Sequence, residues 1–302
     1  MADKILYIEA PDGISGDMAL GALIDLGVDV CDITRELDKV VPGGYSLVPN
    51  PFERNGIHGI NLEVLVDDFV DLDFYSVRSE NFLRFVDREK DKSQKISRSF
   101  TERDGSTKSL SSKPSAHGHA HGHGHRHRRY RDIKEMIVKS GITERAKAYA
   151  LSIFGVIAEA EAAVHMVEKE EVAFHEVGAM DSIIDIVGTS IAIDLLGVEE
   201  FYCSAPRDGS GTILCRHGVI PVPVPAVMKM AEDGCIPIVI DSDVNTEMIT
   251  PTGFGIIKGL GAKFEPRFGI IPEKTGYGFG KRDTGRLGAV RITLGKKSED
   301  YE

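Results

Sequence analysis

Apolar and polar positions along the chain change their period several times, and each change predicts an element. KILYIEA (4–10) is a short apolar run rich in strand formers. PDGISGD follows it, and in MALGALIDLGVD the apolar positions recur at helical spacing and stop at Gly27, so the opening predicts strand, Gly-rich loop and helix. Over 41–68, Leu62, Val64 and Val66 alternate with polar neighbours and RNGIHG punctuates the run, which predicts two strands joined at that turn. ITERAKAYALSIFGVIAEAEAAVH places Ala146, Tyr149, Ile153, Ile157 and Val164 on one stripe with Thr143 in front of it, the pattern of an amphipathic helix with an N-cap. A second, strongly apolar helix is predicted within 172–198, ended by Gly197. FYCSAP, GTILCRHGVIPVPVP, AVMKMAEDG, IPIVI and RLGAVRITLG then alternate strand and short helix signals. The expected fold class is α/β: a layered strand and helix domain, interrupted by a disordered His-rich insertion.

The interruption is compositional. Residues 88–116 are dominated by Lys, Ser, Arg, Asp and Thr, offer almost nothing to bury, and cannot repay their ordering entropy, so 88–128 is expected to stay mobile. The expected division is 1–68, an N-terminal α/β part; 69–130, the polar and His-rich insertion; 131–295, the main α/β part; and 296–302, a charged tail. Within the insertion, HGHAHGHGHRH puts His117, His119, His121, His123, His125 and His127 at alternate positions among Gly, Ala and Arg. Neutral imidazoles so spaced suit a borderline transition metal such as Ni, Zn or Cu without choosing among them. Thirty-six basic against 47 acidic residues give a net charge of −11, which disfavours non-specific nucleic-acid binding. Without a signal-peptide pattern or an uninterrupted apolar span near 20 residues, the expectation is a cytoplasmic protein with no membrane partner. Cys31, Cys203, Cys215 and Cys235 show no CxxC spacing and are read as reduced thiols.

Six further segments could carry chemistry. In PDGISGDM, Asp12, Ser15 and Asp17 stand at a loop that opens a helix, where backbone N–H groups can receive an anion and the carboxylates a hard cation; Ser15 and Asp17 are equally good capping residues. In HEVGAMDSIID, His175 and Glu176 precede Asp181 and Asp185, which share a helix face. Such a group can do general acid and base work or hold a metal, and His175, Glu176 and Asp181 are the expected catalytic residues. Glu161 and His165 form another pair four residues apart. His217 follows a Gly-rich turn, Thr250 and Thr252 precede an apolar helical run, and Gly276 and Gly278 lead to Lys281 and Arg282. Thr250, Thr252, Gly276, Gly278, Lys281 and Arg282 join Asp12, Ser15 and Asp17 as the expected contacts of a phosphorylated ligand, with an N-cap and a Gly-rich strand turn as the plainer readings.

DGISGDM, the interior His tract, AEAEAAVH, FHEVGAMDSIIDIVG, HGVIPVPVPA, TPTG and GYGFGKRD stand in the order in which they occur in one family. The chain resembles the nickel-insertion proteins of the LarC family over nearly all of its length outside roughly 70–115. That resemblance implies an insertase, a cyclometallase of the lyase class, which places nickel in pyridinium-3,5-bisthiocarboxylic acid mononucleotide between two sulfurs and a ring carbon. The product is the nickel-pincer cofactor of lactate racemase or a related enzyme. CTP with Mg or Mn is the implied co-reactant. The His tract would gather nickel, and His175 could take the proton lost from the ring carbon. Family members continue into a C-terminal domain associated with CTP binding and oligomerisation, whereas this chain stops at LGKKSEDYE. It is therefore read as the N-terminal portion, working with a separate C-terminal CTP-binding domain, with homo-oligomers left open. The alternatives are a nickel chaperone or store without chemistry, which needs only the His tract, and a hydrolase of a phosphorylated small molecule using His175 and Asp181 around a divalent ion.

Overall fold

The computed structural model describes residues 4–67, 128–174, 180–215, 218–265 and 268–298. The His tract, the insertion before it, His175, Glu176 and His217 lie outside the described residues, whereas 128–130, expected in the insertion, are described and Tyr130 opens a helix. The chain opens with β1 (Lys4–Glu9), α1 (Gly16–Asp25), α2 (Val30–Leu37) and the long hairpin β2 (Tyr45–Arg54) and β3 (Ile57–Val66). The hairpin turn is Asn55-Gly56, both at positive φ, the backbone that two-residue hairpins favour. After the insertion come α3 (Tyr130–Lys139), α4 (Glu144–His165), a 3-10 turn (Lys169–Glu171) and α5 (Met180–Leu196). β4 (Glu200–Cys203), β5 (Arg207–Asp208), β6 (Thr212–Cys215), β7 (Gly218–Pro221), α6 (Pro225–Gly234), β8 (Val239–Ile240) and α7 (Pro251–Gly259) follow. The described chain ends with β9 (Ile270–Phe279) and β10 (Ala289–Lys297).

The fold is mixed α/β, with seven α-helices among the described residues. Its main sheet is mixed, in the order β2-β3-β9-β10-β1-β4. β1 pairs with β10 antiparallel and with β4 parallel, β9 with β10 antiparallel, and β3 with β9 parallel through Ile60 and Gly278. Thus the N-terminal strand is interior to the sheet and the last strand is its neighbour. β9 is a central strand that alternation does not reveal, because Pro272, Glu273, Lys274 and the glycines break the apolar pattern. α2 is a second addition, a short helix capped by Asp29, which accepts from Cys31 N at 2.8 Å.

α1 lies on the sheet over β3, β9 and β10. A Cβ at Gly278 would overlap the Met18 carbonyl oxygen, and one at Gly276 would meet Ala22 and Leu26 backbone, so these glycines let helix and strand touch backbone to backbone. On the sheet's other face Glu9 accepts two hydrogen bonds from Arg291, at 2.6 and 2.5 Å. α5 packs behind α1, with Gly188 under Leu20, and its burial from Ile183 to Ile193 explains why its sequence is apolar all round. By length and hydropathy α4 could cross a membrane; here it packs against α3, α5, α6 and α7. Ala146, Ile153 and Ile157 of its predicted stripe are buried and Tyr149 is half-buried, but Val164 is exposed. The contact surface ends before the last turn. Thr143 caps α4, its Oγ1 accepting from Ala146 N at 3.1 Å.

Gly278→Ala tests the seating of α1. The added methyl has no flexible neighbour to displace, and overpacking of this kind should cost about 3 kcal/mol, read as a fall in the urea midpoint. An unchanged midpoint would show that α1 can lift from β9 without loss.

Candidate functional site

The loop after β1 is pinned to the segment before α7. Ile14 N donates to Met248 O and Thr250 N to Ile14 O, both at 3.0 Å. Gly13 holds φ +88, and a Cβ there would overlap Met248; one at Gly253 would overlap the Ile14 carbonyl. The N-termini of α1 and α7 are therefore set side by side by a backbone bridge that tolerates no side chain at either glycine.

The two ends are finished differently. Thr250 caps α7 by accepting from Gly253 N at 3.1 Å, and its hydroxyl shares a 2.8 Å hydrogen bond with Thr252. Ser15, at the N-cap position of α1, makes no capping bond; its Oγ donates to Asp17 Oδ1 instead. Asp17 Oδ1 also accepts from Met18 N at 3.0 Å, and Oδ2 lies 3.4 Å from the Lys281 ammonium. Ser15 thus leaves the end of α1 without an N-cap bond, and the Asp17 carboxylate takes Met18 N there with Lys281 beside it.

Behind this rim sit carboxyls that the chain has buried. Asp208 Oδ1 accepts from Gly209 N, Met248 N and Ile249 N at 2.8, 2.7 and 3.1 Å. One oxygen thereby fixes the turn that carries Glu247 and Thr250. Burial pushes the Asp208 carboxyl up, against the pull of those three amides and of Arg282. Glu247, itself buried, holds Arg282, whose guanidinium donates to the Glu247 carbonyl at 2.8 Å and to its carboxylate at 2.9 Å. Asp12 accepts from Gly288 N at 3.1 Å and Arg54 donates to Leu287 O at 3.2 Å, so the segment after β9 is folded back over the same loop.

Asp185, in the second turn of α5, is 9% exposed and its Oδ1 has no hydrogen-bond partner among the described residues. A Cβ on Gly16 would stand 2.7 Å from the Asp185 Cβ and 2.8 Å from Oδ2, so the carboxyl lies directly under the first residue of α1. Burial raises its pKa well above the carboxylate range, the charges of Asp17 and Asp181 raise it further, and Lys281 opposes them.

The structure therefore brings Asp12, Ser15, Asp17, Thr250, Thr252, Lys281 and Arg282 to one rim, joined by the bonds above. Asp181 is exposed at the start of α5, its carboxylate accepting from Ser182 N at 2.7 Å. Gly276 and Gly278 lie under α1, where helix packing accounts for them. His165 pairs with Glu161 at 3.2 Å on α4. Cys203 is buried, which pushes its thiol up, while Cys31 and Cys235 are exposed. Among the described residues no three His, Cys, Asp or Glu side chains converge as a metal centre. Asp208 and Glu247 went unread in the sequence because PRDG and NTEM look like turns. Asp185 had a signal, a lone carboxyl within IIDIV.

A family model described as nickel insertion protein matches residues 6–302. The chain belongs to the nickel insertion protein family. A relative from Acetivibrio thermocellus, named pyridinium-3,5-bisthiocarboxylic acid mononucleotide nickel insertion protein, is 39% identical over 98% of this chain and 61% of its own length. A protein of the same name from Lactiplantibacillus plantarum is 40% identical over 98% of this chain and 62% of its own. The chain thus spans about three fifths of the length of these nickel insertion proteins. No solved structure matches the chain.

The elevated Asp185 pKa sets a pH dependence. Its folded pKa lies above the unfolded one, so its stabilising share is complete below the ordinary carboxylate pKa and is lost as pH rises through the elevated value. Asp185→Asn removes that loss. The thermal midpoint of the variant should match wild type near pH 4 and exceed it near pH 9 by a few degrees, the scale of about 1 kcal/mol. Parallel midpoints at both pH values would show that Asp185 titrates normally.

Proposed function

We propose that this chain carries the substrate- and nickel-handling part of a nickel insertion reaction on pyridinium-3,5-bisthiocarboxylic acid mononucleotide. The observation that carries the reading is the uncapped end of α1 beside Lys281, in a chain of the nickel insertion family. The mononucleotide phosphate sits at that end, where backbone N–H groups and the helix dipole favour an anion. Arg282, Thr252 and the 10–15 loop line the approach. Nickel is a substrate, gathered by His117, His119, His121, His123, His125 and His127 and passed to soft sulfur on the organic substrate. Insertion breaks a ring C–H bond, forms a C–Ni bond and gives the proton to a base; His175, close before Asp181 in sequence, is assigned that role.

CTP with Mg or Mn does not fit the described residues. Both Asp17 oxygens are engaged by Ser15, Met18 N and Lys281, and no acidic cluster stands open to a divalent ion among the described residues. We assign CTP to the part of the family's length that this chain does not span, and derive no step from it. Lactate racemase or a related nickel-pincer enzyme would receive the product, in the cytoplasm. The store reading leaves the assembled rim unused, and the hydrolase reading needs an open divalent-ion site at Asp181.

The test is an insertion assay with the purified pincer precursor, nickel, CTP and Mg or Mn, run on this chain alone and mixed with a C-terminal domain from a relative. Nickel-pincer product in the mixture is expected. Stoichiometric nickel binding without product in either arm would favour the store. In the active mixture His175→Ala should lower turnover by about 10²-fold or more, and normal turnover would remove His175 from the mechanism. Deleting 117–127 should raise the nickel concentration needed while leaving turnover at saturating nickel; loss at all concentrations would make the tract part of the chemistry.

A further inference from the structure

Asp185 breaks a run in which Ile183, Ile184, Ile186 and Val187 are all buried. An ionised carboxylate there would be a charge with a partnerless oxygen in an apolar helix interface, which is costly. The charged groups acting on it are Asp17 on α1, Asp181 on its own helix and Lys281 after β9. From the other elements packed against α5, namely α2, α4, α7 and β3, the described residues bring no further charge to bear on it. Lys281 already faces Asp17, so the three groups acting on Asp185 carry one negative charge in excess. An ionised Asp185 would add to that excess and repel an anion at the end of α1.

The acid form removes both difficulties. A protonated carboxyl is neutral and carries an O–H, and Oδ1 of this one has no hydrogen-bond partner among the described residues. The group lies beneath Gly16, the first residue of the one helix end at this rim that its own N-cap side chain leaves uncapped. A carboxylic acid kept neutral by an apolar site is a strong donor to an anion, whereas its carboxylate can only accept.

We propose that Asp185 is a substrate-binding residue: in its acid form it donates a hydrogen bond to an oxyanion or thio-anion of the ligand seated at the N-terminus of α1. The inference rests on the mononucleotide site proposed above and adds to it the group that selects the ligand's charge. It gives the buried carboxyl a partner that arrives with the substrate, and it makes binding depend on one proton held by the protein.

Nicotinate mononucleotide, a pyridinium mononucleotide with a ring carboxylate, and nicotinamide mononucleotide, its neutral amide counterpart, are suitable probes. Calorimetric titration of the full chain compares wild type, Asp185→Asn and Asp185→Ala at about pH 5.5 and about pH 9, spanning the range where a raised carboxyl titrates. The ratio of wild-type to Asp185→Asn affinity cancels the titration of the ligand's own phosphate. Near pH 5.5 the two should agree within about threefold and Asp185→Ala should be weaker by about tenfold, the scale of one hydrogen bond to a charged group. Near pH 9 Asp185→Asn, which cannot ionise, should bind about tenfold tighter than wild type. A change confined to the nicotinate probe places the bond on the ring carboxylate, and an equal change with both places it on the phosphate. Parallel pH curves for wild type and Asp185→Asn, or undiminished binding by Asp185→Ala, would overturn the proposal while leaving the site in place. Binding of neither probe by wild type at either pH would overturn the site itself, and the role of Asp185 with it.

Discussion

The seating of α1 on the sheet without intervening side chains is the constraint on which the rest of this structure depends. Because Gly276 and Gly278 leave no Cβ between β9 and the helix, the Met18, Ala22 and Leu26 backbone rests directly on the strand. This depth lets α5 close over α1 through Gly16 and Gly188, and it brings the end of β9, with Lys281 and Arg282, level with the start of α1. A bulkier strand would lift the helix and separate Asp17 from Lys281. The glycines that looked like a ligand loop therefore serve the site one layer below it, by fixing the height at which its parts meet.

The second organising feature is the use of buried carboxyls as fixed points. Asp208 spends one oxygen on three amides and so holds the 247–250 turn, which in turn carries Glu247 with Arg282, and Thr250 with α7. Asp241, also buried, does comparable work by binding Arg207 at 3.1 Å and Arg286, and its pKa is lowered by the Asp243 amide and those guanidiniums. Asp185 differs from both in having neither amides nor a cation of its own. Its position is explained by what it leaves open rather than by what it ties together.

The N-terminal strand, Gly-rich loop and helix, the 45–66 hairpin, and the helices of 144–165 and 180–196 were legible because each repeats one period over several turns or residue pairs. β9 was not, since a strand whose inward positions are glycine offers no apolar alternation, its burial being supplied by the helix it admits. α2 was not, being two turns long with little apolar face beyond Ile33 and Leu37. At the site, the residue types were legible one motif at a time, and Asp12, Ser15, Asp17, Thr250, Thr252, Lys281 and Arg282 do meet. What joins them is backbone, the Ile14 bridge and the amides on Asp208, and backbone pairing between segments more than two hundred residues apart leaves no mark in composition.

The two tasks proposed for this chain make different physical demands. The proposed gathering of a borderline metal asks for many neutral imidazoles, and the sequence of the His tract interleaves them with Gly and Ala. Discriminating an anionic organic ligand asks instead for donors whose positions are fixed before the ligand arrives, so that little ordering is required on binding. The described rim is fixed in this way, since backbone excludes a side chain at Gly13 and Gly253 and the Asp185 side chain excludes one at Gly16.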